Sequence, residues 1–175
     1  MAGGALGQDT KANLPGGVGP KSDFSGIWTL DKSQSTLDDA ARIESMTLTV
    51  AQTETDVKVV SETKRTPLPE GFQRGSGRRG GFGGGDGTLV YAFDKETTTE
   101  VEGRMGKVPV KLMAKMRLGR LQLTSSRTVT GPSGEISMTT SERWLLSGDG
   151  KTLTVNRDTE MPQGKMSSTL VFVKK

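Results

Sequence analysis

Hydrophobic and polar residues alternate with a period of two along most of this chain, and that period predicts strands. Met46, Leu48 and Val50 alternate with Thr47 and Thr49, and Val57 and Val59 flank Lys58, so two strands meet at a turn over Thr53, Glu54 and Thr55. A first strand is predicted over residues 24–30, and further strands over residues 89–93 and 97–101. From Val108 onward the alternation is most regular. Val108, Val110, Leu112, Ala114 and Met116 share one face, while Lys111, Lys115 and Arg117 share the other. The runs that follow place Leu121, Leu123 and Val129, then Ile136, Met138, Trp144 and Leu146, then Leu153 and Val155, then Met166, Leu170 and Phe172 on the inner face. Turn chemistry separates them at Leu118-Gly119, Gly131-Pro132-Ser133-Gly134, Ser147-Gly148-Asp149-Gly150 and Met161-Pro162-Gln163-Gly164. One helical signal interrupts the strands, over residues 33–43, where Thr36 and Asp39 have capping-box spacing ahead of Ala40 and Ala41. This short helix is expected to lie across a barrel end.

If each hairpin closes about its turn, every inward set faces another inward set, which a one-residue slip would have spoiled. Roughly ten strands and one short helix predict an all-β fold, an antiparallel up-and-down β-barrel, with a two-sheet sandwich as the alternative. The 175 residues, 31% of them hydrophobic, supply one modest core and hence one domain. Residues 1–22 read as a flexible leader and residues 23–175 as the barrel domain. Within it, residues 65–87, which end in RGSGRRGGFGGGDG, read as a Gly/Arg-rich mobile loop with too little apolar surface to repay ordering.

The chain has no cysteine and no histidine, which removes thiol nucleophiles, disulfides, Cys/His zinc sites and the imidazole base of a serine triad. A net charge of +4 is too weak a field to demand an anionic partner. No stretch reads as a transmembrane segment, and residues 1–20 lack the basic and apolar regions of an intact signal peptide. The carboxylate pairs Glu100 with Glu102 and Asp158 with Glu160 fall on outward faces and read as solvated rather than as acid/base machinery. No catalytic constellation, cofactor site or metal site is predicted.

Gly26-Ile27-Trp28 on the first strand resembles the Gly-x-Trp element of lipocalins and other calycins. The longer run from Asp23 to Asp31, together with Glu142-Arg143-Trp144, Leu146-Ser147, the stretch Asp149 to Val155 and Pro162-Gln163-Gly164, resembles exported bacterial lipocalin-like proteins. The resemblance covers most of residues 24–173. It implies a barrel with a small-molecule cavity, a periplasmic or secreted location, and a basic residue from the last strands packed against Trp28, for which Arg157 is the candidate.

Simple pairing about the turns predicts how the interior is layered. Met116, Leu121, Trp144, Leu153 and Phe172 form one layer and Ala114, Leu123, Glu142, Val155 and Leu170 the next, making one end apolar. Leu112, Ser125, Thr140, Arg157 and Ser168 follow, then Val110, Arg127, Met138, Thr159 and Met166, making the other end polar. Inward charges are costly unless paired, hydrated or ligated. One explanation is an internal salt-bridge network. The other is an anion pocket in which Glu142 holds one arginine, the second offers its planar fork to a ligand head, and Met138 and Met166 contact an apolar tail. The candidate ligand-binding residues are therefore Arg127, Arg157, Glu142, Ser125, Thr140 and Met138.

The function expected from these features is a non-enzymatic binding protein for a small apolar or amphipathic ligand, an anion included. The alternative is an interaction or envelope-associated structural domain with a filled barrel. It would dock a partner protein through the Gly/Arg loop or through the basic outer stripe of Lys107, Lys111, Lys115, Arg117 and Arg120. Few arginines accompany Phe82 in the loop, so nucleic acid is not the expected partner.

Overall fold

The computed structural model describes residues 22–37, 42–67, 86–103, 106–131 and 134–175. They form one 10-stranded antiparallel sheet in the order β4-β3-β2-β1-β10-β9-β8-β7-β6-β5. The strands are β1 (Gly26–Leu30), β2 (Ile43–Gln52), β3 (Asp56–Arg65), β4 (Gly87–Ala92), β5 (Thr97–Gly103), β6 (Gly106–Arg117), β7 (Arg120–Gly131), β8 (Gly134–Leu146), β9 (Thr152–Met161) and β10 (Gly164–Lys174). Apart from β4 and β5, each strand pairs with its sequence neighbour, and β1 pairs with β10, so the meander curls round on itself as an up-and-down barrel. A single continuous sheet decides against the sandwich. The sheet has one seam, between β4 and β5. At one end it is stitched where Phe93 bridges to Ala114 of β6 and the Asp94 amide donates to the Ala114 carbonyl (2.8 Å).

Inward positions of the alternating runs are the buried ones, as the period requires. Phe24, Trp28, Leu121, Trp144, Leu153 and Phe172 are each no more than 1% exposed, and with their neighbours they fill the stitched end. Phe24 meets Trp144 edge to face, with ring centroids 6.2 Å apart. Both tryptophans are thus core plugs.

Several expectations need correction. No helix occupies the described part of residues 33–43. Asp31 accepts hydrogen bonds from the Ser33 amide (2.9 Å) and from Gln34 Nε2 (2.7 Å), and Ser35 Oγ donates to the Asp31 carbonyl (2.6 Å). Thr36 then bridges to Thr169 of β10, its amide on the Thr169 carbonyl at 2.8 Å. These short polar side chains satisfy the backbone locally, and sheet pairing takes the rest, so the capping-box spacing is not used as a cap. Arg42 has a left-handed backbone (φ 47°) and Ile43 already belongs to β2; residues 38–41 lie outside the described residues.

The expected Gly/Arg loop is shorter at its ends than residues 65–87, since Arg65 closes β3 and Gly87 opens β4. Residues 68–85 and the leader residues 1–21 lie outside the described residues. Met166 pairs with Thr159 as the simple register requires, but it sits near the tip of the β9–β10 hairpin and is 49% exposed, so it is not part of the lining.

The β8–β9 register also differs. Trp144 faces Val155 and Leu146 faces Leu153, where pairing about a tight turn had put Trp144 against Leu153. The connection closes instead through a wider loop. In it the Ser147 amide donates to the Thr152 carbonyl (2.9 Å), the Thr152 amide to Ser147 Oγ (2.9 Å), and the Lys151 amide to Asp149 Oδ1 (3.0 Å). An even shift keeps every side chain on its face but changes its partner, and it sets Glu142 directly opposite Arg157.

Candidate functional site

Two polar groups lie one above the other inside the barrel. The deeper one is built on β8 and β9. Arg157 donates from Nε to Glu142 Oε1 at 2.7 Å, and its Nη2 lies 2.6 Å from the same oxygen. Glu142 Oε2 accepts Trp144 Nε1 at 2.7 Å. Glu142 and Trp144 share a face because they are two apart on one strand, and Arg157 reaches them from the facing position. Their side chains are nearly enclosed, 8% exposed for Arg157 and 12% for Glu142. The free space beside them is about 30 Å³, room for a water molecule rather than a ligand. The salt-bridge explanation therefore holds for this pair.

Above it lies a larger cavity of about 300 Å³ that follows the seam between β4 and β5. Its wall combines Leu89, Val101, Val110 and Met138 with Ser125, Thr140 and Arg127. The pairing Leu112, Ser125, Thr140, Thr159 runs across β6 to β9 as one rung, and there Thr140 and Thr159 share a hydroxyl contact of 3.2 Å. Ser125 (9% exposed) and Thr140 (3%) are buried. Arg127 is half-buried, and its Nη2 lies 3.3 Å from Met138 Sδ, a weak acceptor. Among the described residues no carboxylate forms an ion pair with Arg127. Three carboxylates border the cavity along the seam, of which Asp86 lies 3.8 Å from Arg65 and Glu100 lies 3.7 Å from Lys107.

The six candidate residues thus divide. Arg127, Ser125, Thr140 and Met138 line the larger cavity, whereas Arg157 and Glu142 lie below it, with Leu89 lining both spaces. Nor is Arg157 the basic residue against Trp28. That position belongs to Lys174, directly opposite Trp28 in the β1–β10 pairing, with its Nζ 5.2 Å from the ring. Trp28 Nε1 in turn donates to the Phe24 carbonyl at 3.0 Å.

No family model and no curated protein matches the sequence. The structure is similar to several solved barrels. One is a mutant of the fluorescent protein UnaG, at TM-score 0.48 and 12% identity over 87% of this chain and 96% of that one. Another is the zebrafish ileal bile acid-binding protein complexed with cholic acid, at TM-score 0.46 and 14% identity over 87% of this chain and 98% of that one. A third is the fatty-acid-binding protein of Manduca sexta, at TM-score 0.43 and 13% identity over 86% of this chain and 99% of that one. Among the described residues no helix is long and apolar enough to cross a membrane.

Sequence reasoning placed Val110 in one layer with Arg127 and Met138, but it did not include Leu89, Val101 or Tyr91 in the site. Leu89 and Val101 fall on strands that the sequence predicted. What was missing was the place of β4 and β5 at the seam, which follows from closure of the whole sheet. Tyr91, 6% exposed, stands beside the Glu142–Arg157 pair. Burial pushes its phenol well above the ordinary value, the Glu142 charge adds to this, and Arg157 opposes it. A proton acid with a raised folded-state pKa costs nothing below the unfolded value, and stability is lost as pH rises beyond it. Stability should therefore fall above pH 10.0, the ordinary value for the group. Tyr91 is the one tyrosine in the chain, so an absorbance titration reads it alone. Phenolate should form only together with unfolding; ionisation at the ordinary value in folded protein would show the phenol to be solvated.

Proposed function

We propose that this protein is a carrier or sensor, and not an enzyme, for a small amphipathic anion held in the cavity beside Arg127. The observation that supports this most is the cavity of about 300 Å³, in which a half-buried guanidinium has only a thioether within reach among the described side chains. That volume is at the lower end of the range for ligand sites, so the ligand is small. The guanidinium fork suits a carboxylate, sulfonate or sulfate head, Ser125 and Thr140 supply hydroxyls, and Leu89, Val101 and Val110 offer apolar contact to the remainder.

Native mass spectrometry of gently purified protein, followed by titration with the amphipathic anion 1-anilinonaphthalene-8-sulfonate, tests this. Arg127→Ala should weaken binding on the order of 10- to 100-fold, as expected for a lost hydrogen bond to a charged group. Lys151→Ala, exposed in the β8–β9 loop at the other end of the barrel, should leave it unchanged. Equal affinity in the Arg127 variant would remove the anion from the proposal, and absence of any bound molecule in either experiment would remove the carrier. The sequence resemblance to exported lipocalin-like proteins supports a periplasmic or secreted location, which fractionation of the source cells would test.

A further inference from the structure

The end of the barrel away from the cavity carries a feature that ligand binding does not use. The β6–β7 hairpin turns through Leu118 (φ 50°) and Gly119 (φ 73°), with Arg117 directly opposite Arg120. Two central residues of positive φ are what a tight hairpin of the type I′ class requires, and that turn favours Asn, Asp or Gly at its first central position. Leucine there is costly, because a bulky side chain fits the left-handed region poorly. Its side chain gains nothing from the fold in return, being fully exposed at 101%. Like charges directly opposite on a sheet also destabilise, and Arg117 faces Arg120 with Lys115 on the same outer face one pleat below. None of these three cations joins an ion pair among the described residues, whereas Lys107 and Lys111 of the same outer stripe lie close to Glu100 and Glu96.

We propose that this hairpin tip docks the protein on an anionic lipid surface. Leu118 enters the interfacial region of the bilayer, while Arg117, Arg120 and Lys115 lie against the headgroup phosphates. A projecting aliphatic side chain ringed by unneutralised cations complements a layer that is apolar beneath a negative surface. A nucleic acid fits less well, since stacking on bases calls for an aromatic side chain, and the tip has none. The tip and the cavity lie at opposite ends of the barrel, so docked protein keeps its cavity open to solvent.

The test is co-sedimentation of the full chain with vesicles of phosphatidylcholine and phosphatidylglycerol, with pure phosphatidylcholine vesicles as the neutral comparison. Binding is expected only to the anionic vesicles, and it should weaken as salt is raised. Arg117→Gln and Arg120→Gln should each lower the partition coefficient about fivefold, the factor associated with one basic residue at such a surface. Leu118→Asn is the discriminating variant. Asparagine suits the turn, so the melting temperature should hold or rise while vesicle binding falls about tenfold with loss of the buried aliphatic group. Failure of the full chain to bind anionic vesicles overturns the proposal. So does binding that Leu118→Asn leaves intact, and so does tighter binding to a single-stranded RNA oligonucleotide that ignores Leu118, which would make the tip a general polyanion contact.

Discussion

Replacing Glu142 with alanine should cost about 3–5 kcal/mol of folding free energy, because it leaves the Arg157 guanidinium enclosed without its carboxylate. The loss has two parts. Arg157 gives up the contacts from Nε and Nη2 to one oxygen, and Trp144 Nε1 gives up its acceptor on the other. A buried donor stripped of its acceptor is by itself worth about 1–3 kcal/mol. Urea unfolding followed by tryptophan fluorescence would measure the change, with an unchanged slope showing that the unfolding reaction is the same. The pair need not be a net source of stability. Desolvating both ions costs about as much as their attraction returns, so the double variant Glu142→Leu with Arg157→Met should recover most of the loss. A single-variant cost below about 1 kcal/mol would mean that the pair is solvated like an ordinary surface bridge. Arg127 lines a different space, so anion binding in the larger cavity should survive in the double variant.

Trp28→Ala should be as damaging, at about 3–5 kcal/mol, for an apolar reason. Trp28 is 0% exposed, and its loss opens a cavity among side chains that cannot all collapse into it. The Phe24 carbonyl loses its donor, and the Lys174 ammonium loses the ring 5.2 Å away. A chain of this length loses roughly 2–4 °C of melting temperature per kcal/mol, so a fall of about 10 °C is expected in a thermal scan. Trp28→Phe keeps part of the volume and should fall by less than half as much. The chain has two tryptophans, so either variant leaves Trp144 as the only indole reporter. A melting temperature within about 2 °C of the parent would show that the strand is not packed as described.

The two variants also separate what could be read along the chain from what could not. Trp28 was legible through the Gly-x-Trp resemblance, which implies a basic residue of the last strands packed against it. Its partner was not. Lys174 stands over the ring because β10 returns to pair with β1, a contact between the two ends of the chain that no local pattern encodes. Glu142 and Arg157 were likewise legible as inward charges, but sequence alone left open whether they formed a bridge or a ligand site.

What the sequence by itself determined was which side chains face in. The pleat makes facing a matter of odd and even positions, so it survives any even error in register, and the inner runs of β6 to β9 are correct although the β8–β9 pairing is offset. The turns also gave the inward pairings of β6–β7, β7–β8 and β9–β10, and it was at β8–β9 that tertiary structure alone decided which inward residues meet. The Ser147–Thr152 loop chose its own hydrogen bonds and moved Glu142 onto Arg157. Closure of the sheet left the seam between β4 and β5, sequence neighbours that do not pair, and the space beside it holds Arg127 without a carboxylate partner among the described residues. Facing is a property of one strand, whereas pairing and cavity depend on loops and on closure of the whole ring.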